Sequence, residues 1–130
     1  MKQGVRKSKC LMIHPEWAVQ ILDGTKTIEY RSWPTRYRGD FFIGSTATKT
    51  LRAFLCAVAH LDDVVYNEKD KIYEWRLSNV REIKPIPIRG QQRLFECGID
   101  DYQVIDDLPD DEYEAVWREA ENWIVKQKTA

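Results

Sequence analysis

No stretch of this sequence stays apolar for long. The longest uncharged apolar run, Ala53 to Ala59, falls far below the roughly 18 residues of a membrane-spanning helix. The basic opening Met1 to Lys9 is not followed by the apolar core of an export signal. A soluble, cytoplasmic protein with no membrane contact is expected. Histidine is scarce: His14 reads as a helix cap and His60, between Ala59 and Leu61, as a packed strand residue, so no metal site follows. The three cysteines, Cys10, Cys56 and Cys97, are odd in number, far apart and without a Cys-x-x-Cys pair. That pattern suggests neither a disulfide framework nor a zinc ribbon, and fits a reducing compartment. There is no phosphate-binding glycine-rich loop and no Gly-x-Ser-x-Gly, and no cofactor is implied.

Acidic residues are scarce at one end only. Net charge is −1 overall, but residues 1–60 carry +6, residues 61–100 carry −1 and residues 101–130 carry −6. A basic amino-terminal half can give one face a positive field suited to a phosphate-bearing partner, and the two ends can equally neutralise each other. The acidic carboxy-terminal region is also a candidate surface for a protein partner. With 130 residues, 43% hydrophobic and 32% charged, the chain fits one globular domain over 1–130.

Residues 1–9 are polar and basic and read as a flexible arm. A strand over Cys10 to Ile13 precedes a short helix, capped at His14, started by Pro15 and stopped by Gly24, with Trp17, Ala18, Ile21 and Leu22 at helical spacing. Strands are predicted over Thr27 to Ser32, Phe41 to Ala47, Ala53 to Leu61, Tyr73 to Ile83 and Leu94 to Cys97. The unbroken apolar opening of the Phe41 strand suggests a core on both its faces. Asp62 to Lys71 reads as a charged connector, and Pro85 and Pro87 as a break that places Lys84 to Ile88 at an edge or in a loop. From Pro109 to Lys126 the residues Tyr113, Val116, Trp117, Ala120, Trp123 and Ile124 form one helical stripe. The fold class is therefore α+β, mainly β. It is a small barrel of about five to six strands over residues 10–97, followed by an acidic segment and a packed helix over 98–130.

The chemistry gathers around Gly24-Thr25-Lys26-Thr27-Ile28-Glu29-Tyr30-Arg31. Strand alternation puts Glu29 and Arg31 on one face and Ile28 and Tyr30 on the other, expected to be the core side. Lys26 shares the core-side parity, so its place is the turn after Gly24, from which its ammonium can reach Glu29. On spacing alone this is a surface ion-pair ladder worth about 0–1 kcal/mol.

The segment Met12 to Ala47 resembles the ASCH domain, the activating signal cointegrator homology family of the PUA-like superfold. The residues that carry the resemblance are Trp17-Ala18, Gly24-x-Lys26-x-x-Glu29-x-Arg31-x-Trp33, Arg38-Gly39 and Ile43-Gly44-Ser45-Thr46-Ala47. Pro87-Ile88-Arg89-Gly90 followed by Leu94-Phe95 is similar to the family's closing strands. The resemblance implies a PUA-like barrel with a cleft beside the first helix and a nucleic acid, RNA foremost, as its ligand. It points to a short single-stranded segment or a modified nucleotide. In that setting Lys26, Arg31, Arg36 and Arg38 can meet phosphate, and Glu29 can accept from a base amino group or orient Arg31. Trp17 or Trp33 can stack a base or serve as a core anchor, and Gly44-Ser45 marks a close approach of backbone to ligand or helix. Some ASCH-like proteins are acetylcytidine amidohydrolases that use a lysine and a threonine three residues on. Here Lys26 matches but Glu29 stands in the threonine's place, so the expected nucleophile is absent. The alternative reading is a hydrolase of modified nucleosides or RNA with Lys26 and Glu29 as its catalytic pair.

Overall fold

His14 ends the first strand and starts the first helix in one step: its Nδ1 accepts from the Glu16 N–H (3.3 Å), and Pro15 takes the first helical position. Gly24 then leaves the helix at φ +83°, a left-handed conformation suited to glycine. The computed structural model describes residues 8–127. Its elements are β1 (Lys9–Ile13), α1 (Pro15–Leu22), β2 (Ile28–Arg31), β3 (Gly39–Ser45), β4 (Phe54–Asn67), β5 (Ile72–Pro87), β6 (Leu94–Glu96) and α2 (Asp110–Ile124). Lys9 belongs to β1 and Ser8 is buried, so the polar arm expected over 1–9 does not reach that far; its remainder, residues 1–7, lies outside the described residues.

All six strands form one sheet in the order β2-β5-β4-β3-β1-β6, curled into a half-barrel of PUA-like, mainly β architecture. β1 and β3 run parallel, and every other pairing is antiparallel. Alternation on β3 sends Phe41 and Ile43 to one core and Phe42 to another. The first core lies under α1 and α2, which contribute Ala18, Ile21, Ala120 and Ile124. The second is covered by the segment after β6, where Ile105 is fully buried and Val104 bridges to Ile83.

Several expectations need correction. The charged stretch from Asp62 is not a connector up to Lys71. β4 continues to Asn67, because Val64, Val65 and Tyr66 suit a strand while Asp62 and Asp63 face solvent. The turn is confined to residues 68–71, closed by Asn67 and Asp70 and by Lys71 at φ 52°. The prolines do not end β5 either. Between Leu55↔Ile86 and Ala57↔Glu82 the β4 register slips, and this irregularity absorbs Pro85, while the Lys84 N–H bonds the Gln103 carbonyl (2.8 Å) instead of β4. His60 is half-exposed rather than packed, its Nδ1 2.9 Å from Asp40 Oδ1. Finally, Cys10 and Cys97 form a disulfide, leaving Cys56 as the free, buried thiol. Cys97 directly follows β6, which pairs with β1, so a separation of 87 residues in sequence becomes proximity across two adjacent strands. That bond removes the premise on which a reducing compartment was inferred. No helix among the described residues is long and apolar enough to cross a membrane.

Candidate nucleic-acid interface

The turn that follows α1 is tied down before it reaches the site. The Lys26 N–H bonds the Gln20 carbonyl (3.1 Å), and Asp23 accepts from both the hydroxyl (2.6 Å) and the N–H (2.9 Å) of Thr25. Those two hydrogen bonds hold the Asp23 carboxyl below its ordinary range. Lys26 leaves this turn pointing at β2, the edge strand that pairs with β5 through Glu29↔Trp75 and Arg31↔Tyr73.

Glu29 and Arg31 share a face, but it is the inner one. Glu29 is only 6% exposed, whereas Tyr30 is 47% exposed, the reverse of the expected assignment. The period of two fixes which residues share a face and not which face is buried. A carboxylate tolerates burial here because it is paired twice: Lys26 Nζ lies 3.6 Å from Oε1 and Arg31 Nη2 2.8 Å from Oε2. Arg31 Nη2 also donates to the Met12 carbonyl (3.1 Å), joining β2 to β1 across the mouth of the half-barrel. Its Nε is buried and has no hydrogen-bond partner among the described residues. Lys26 Nζ stands 5.3 Å from the Trp17 ring centroid and 4.9 Å from that of Tyr30, within cation–π reach of both.

Two cavities meet at Arg31. One, of about 420 Å³, is lined by His14, Trp17, Glu29, Tyr30, Arg31 and Thr46; the other, of about 380 Å³, by Arg31, Trp33, Thr46, Gln91, Gln92 and Arg93. Met12 contributes to both. Trp17 is 43% exposed. Trp33 is half-buried: its ring meets Trp75 edge to face at 4.8 Å, its carbonyl accepts from the Trp75 indole, and Arg93 covers it at 5.1 Å. Arg93 sits at φ 65°, left-handed and disfavoured for a side chain of this kind.

Of the residues singled out from the sequence, Trp17, Lys26, Glu29 and Arg31 come together, and Trp33 flanks them. Arg36 is exposed and lines neither cavity. Arg38 is committed to its own turn, bonding the Thr35 and Tyr37 carbonyls (2.8 Å each) and facing Asp63 at 3.4 Å. Ser45 is buried and lines a different cavity, between α1 and α2. Sequence reasoning missed Tyr30 as a wall of the site, together with Thr46 and Gln91 to Arg93. The last three follow directly on Pro87-Ile88-Arg89-Gly90, but only the pairing of β6 with β1 brings them beside Arg31. Among the described residues no group of three or more His, Cys, Asp or Glu is arranged to hold a metal ion.

Comparison with known proteins bears on the family and the fold. The model of the ASCH domain matches residues 11–87. The human activating signal cointegrator 1 is 40% identical over 48 residues, which is 37% of this chain and 8% of that protein. The crystal structure of ASCH from Zymomonas mobilis superposes with a TM-score of 0.56 at 17% identity, covering 95% of this chain and 99% of that one. A tyrosine-to-phenylalanine variant of the same bacterial protein gives 0.55 at 17% identity, covering 87% and 98%. At that identity the shared property is the fold.

Proposed function

Since this chain belongs to the ASCH domain family, we propose that it is a nucleic-acid-binding module that holds a short single-stranded RNA segment or a modified nucleotide in the cleft around Arg31. The observation that carries the reading is the arrangement of Lys26, Glu29 and Arg31. Two cations share one buried carboxylate, which leaves the cluster a net positive charge, and the buried Arg31 Nε–H has no hydrogen-bond partner among the described residues. A phosphate or carbonyl oxygen of a ligand would satisfy that donor. Trp17 and Tyr30 add exposed aromatic faces beside it, and the amides of Gln91 and Gln92 can both donate to and accept from a base edge. Single-stranded nucleic acids are held by just this combination of cations and stacking platforms.

Titration with short single-stranded RNA at several salt concentrations tests the proposal. Binding should weaken as salt rises, and the double variant Lys26→Ala, Arg31→Ala should lose about tenfold or more in affinity and flatten the salt dependence. Absent binding at low salt, or unchanged affinity in the double variant, contradicts it.

A hydrolase reading has one observation in its favour: the Lys26–Glu29 pair adjoins a cleft that also contains Thr46. Against it, both Glu29 oxygens are engaged by cations, and the Thr25 hydroxyl is spent on Asp23. Turnover of acetylated cytidine or of labelled RNA, lost in Glu29→Gln, would favour the enzyme.

A further inference from the structure

A third cavity, of about 530 Å³, opens between α1 and α2, and its electrostatics are opposite to those of the cleft. Its walls are largely apolar, with Ala18, Val19 and Leu22 from α1, Leu51 and Phe54 from the sheet side, and Trp117 from α2. The charged residues that line it are both acidic: Glu82 and Asp23. Glu82 accepts from the Tyr113 hydroxyl (3.0 and 2.8 Å to its two oxygens) and from the Trp117 indole N–H (3.1 Å). Among the described residues no lysine, arginine or histidine forms an ion pair with it. Asp106 adds further negative charge nearby, its carboxylate accepting from the Glu82 N–H (3.0 Å).

A latch for α2 needs only a hydrogen-bond acceptor. A carboxylate brings more: a negative charge beside an apolar wall and acceptor capacity for about four hydrogen bonds, of which two donors are supplied. Neighbouring groups do not relieve this charge. Burial, and then Glu82 itself, push the Cys56 thiol up to about 12, so it stays neutral. Burial, and then Glu82, also raise the Tyr113 hydroxyl, which keeps its proton as a donor.

We infer that this cavity binds a small organic cation, its apolar body lying between α1 and α2 and its protonated amine donating to Glu82. The site is independent of the RNA reading, since it shares no lining residue with the two cavities at Arg31.

Benzylammonium is a suitable probe, with benzyl alcohol and benzoate as neutral and anionic counterparts. The readout is the indole N–H resonance of Trp117, assigned by Trp117→Phe. Benzylammonium should shift it saturably, with benzyl alcohol and benzoate about tenfold or more weaker, and Glu82→Gln should weaken benzylammonium by about the same factor. Because Glu82→Gln also alters the seating of α2, Val19→Trp provides a second test: it projects from an exposed α1 position into the cavity, leaves the Glu82 contacts in place, and should abolish binding. Lys26→Ala should leave binding unchanged. No saturable shift, benzoate binding as well as benzylammonium, or equal affinity in either Glu82→Gln or Val19→Trp would overturn the inference.

Discussion

At the residue scale, one backbone conformation bears on the proposed cleft. Arg93 occupies the left-handed region, which costs a side chain of this kind roughly 1–2 kcal/mol. It does so while placing its guanidinium over Trp33 at the edge of the cleft. The cation–π contact returns only about 0.5–1 kcal/mol at an exposed position. The conformation therefore costs stability and keeps a cation at the site. Arg93→Gly should leave thermal stability unchanged or raise it while weakening RNA binding, and a melting curve beside a binding titration separates the two effects. Loss of both together would make Arg93 a structural residue instead. Asp40 makes a different residue-scale prediction. Burial would raise its carboxyl, but hydrogen bonds from His60 and Arg81 outweigh that and hold it below its ordinary range. Its contribution to stability is present above the ordinary carboxylate pKa of about 4 and is lost as pH falls through the lower folded value. The urea midpoint of the wild type should thus drop more steeply in acid than that of Asp40→Asn. Parallel curves would show that the group does not contribute.

At the element scale, β1 is the strand on which the site depends. Its Met12 carbonyl receives Arg31, its pairing with β6 brings Arg93 and the two glutamines to the cleft, and the Cys10–Cys97 bond joins it to the residue after β6. Closing so long a loop stabilises by about 2–4 kcal/mol. Alkylation by iodoacetamide followed by mass measurement should therefore find one reactive thiol in the unfolded, unreduced chain and three after reduction, matching one free cysteine among three. The buried Cys56 should stay unmodified in the native protein, and the reduced chain should unfold at lower denaturant. Three reactive thiols without reduction would contradict the cystine. Much of this scale was legible in the sequence. The cap and stop of α1, the α2 stripe and the two-sided apolar opening of β3 each rest on local chemistry. So does the proximity of Lys26, Glu29 and Arg31, which lie within one turn and one strand. What was not legible depends on long-range pairing. The burial of Glu29 over Tyr30, the extension of β5 past Pro85, the cystine and the wall formed by Gln91 to Arg93 are all decided by which strands become neighbours. No local pattern carries that information.

At the scale of the whole molecule, charge of opposite sign gathers at two recesses. Lys26, Arg31 and Arg93 border the cleft, whereas Asp23, Glu82 and Asp106 lie in or beside the cavity under α2. The chain after β6 is laid over the second core through Val104 and Ile105 and then folds back as α2, which is seated by Ala120 and Ile124. One half-barrel thus offers a positive recess and a negative one. The central claim concerns the first, and its most direct test is the side-chain N–H resonance of Arg31 Nε, the buried donor without a partner among the described residues. On addition of short single-stranded RNA this resonance should shift saturably, together with the Trp17 indole, and at the same concentrations that saturate binding. If RNA binds while the Arg31 and Trp17 signals stay in place, the nucleic acid lies elsewhere and the cleft is not its site.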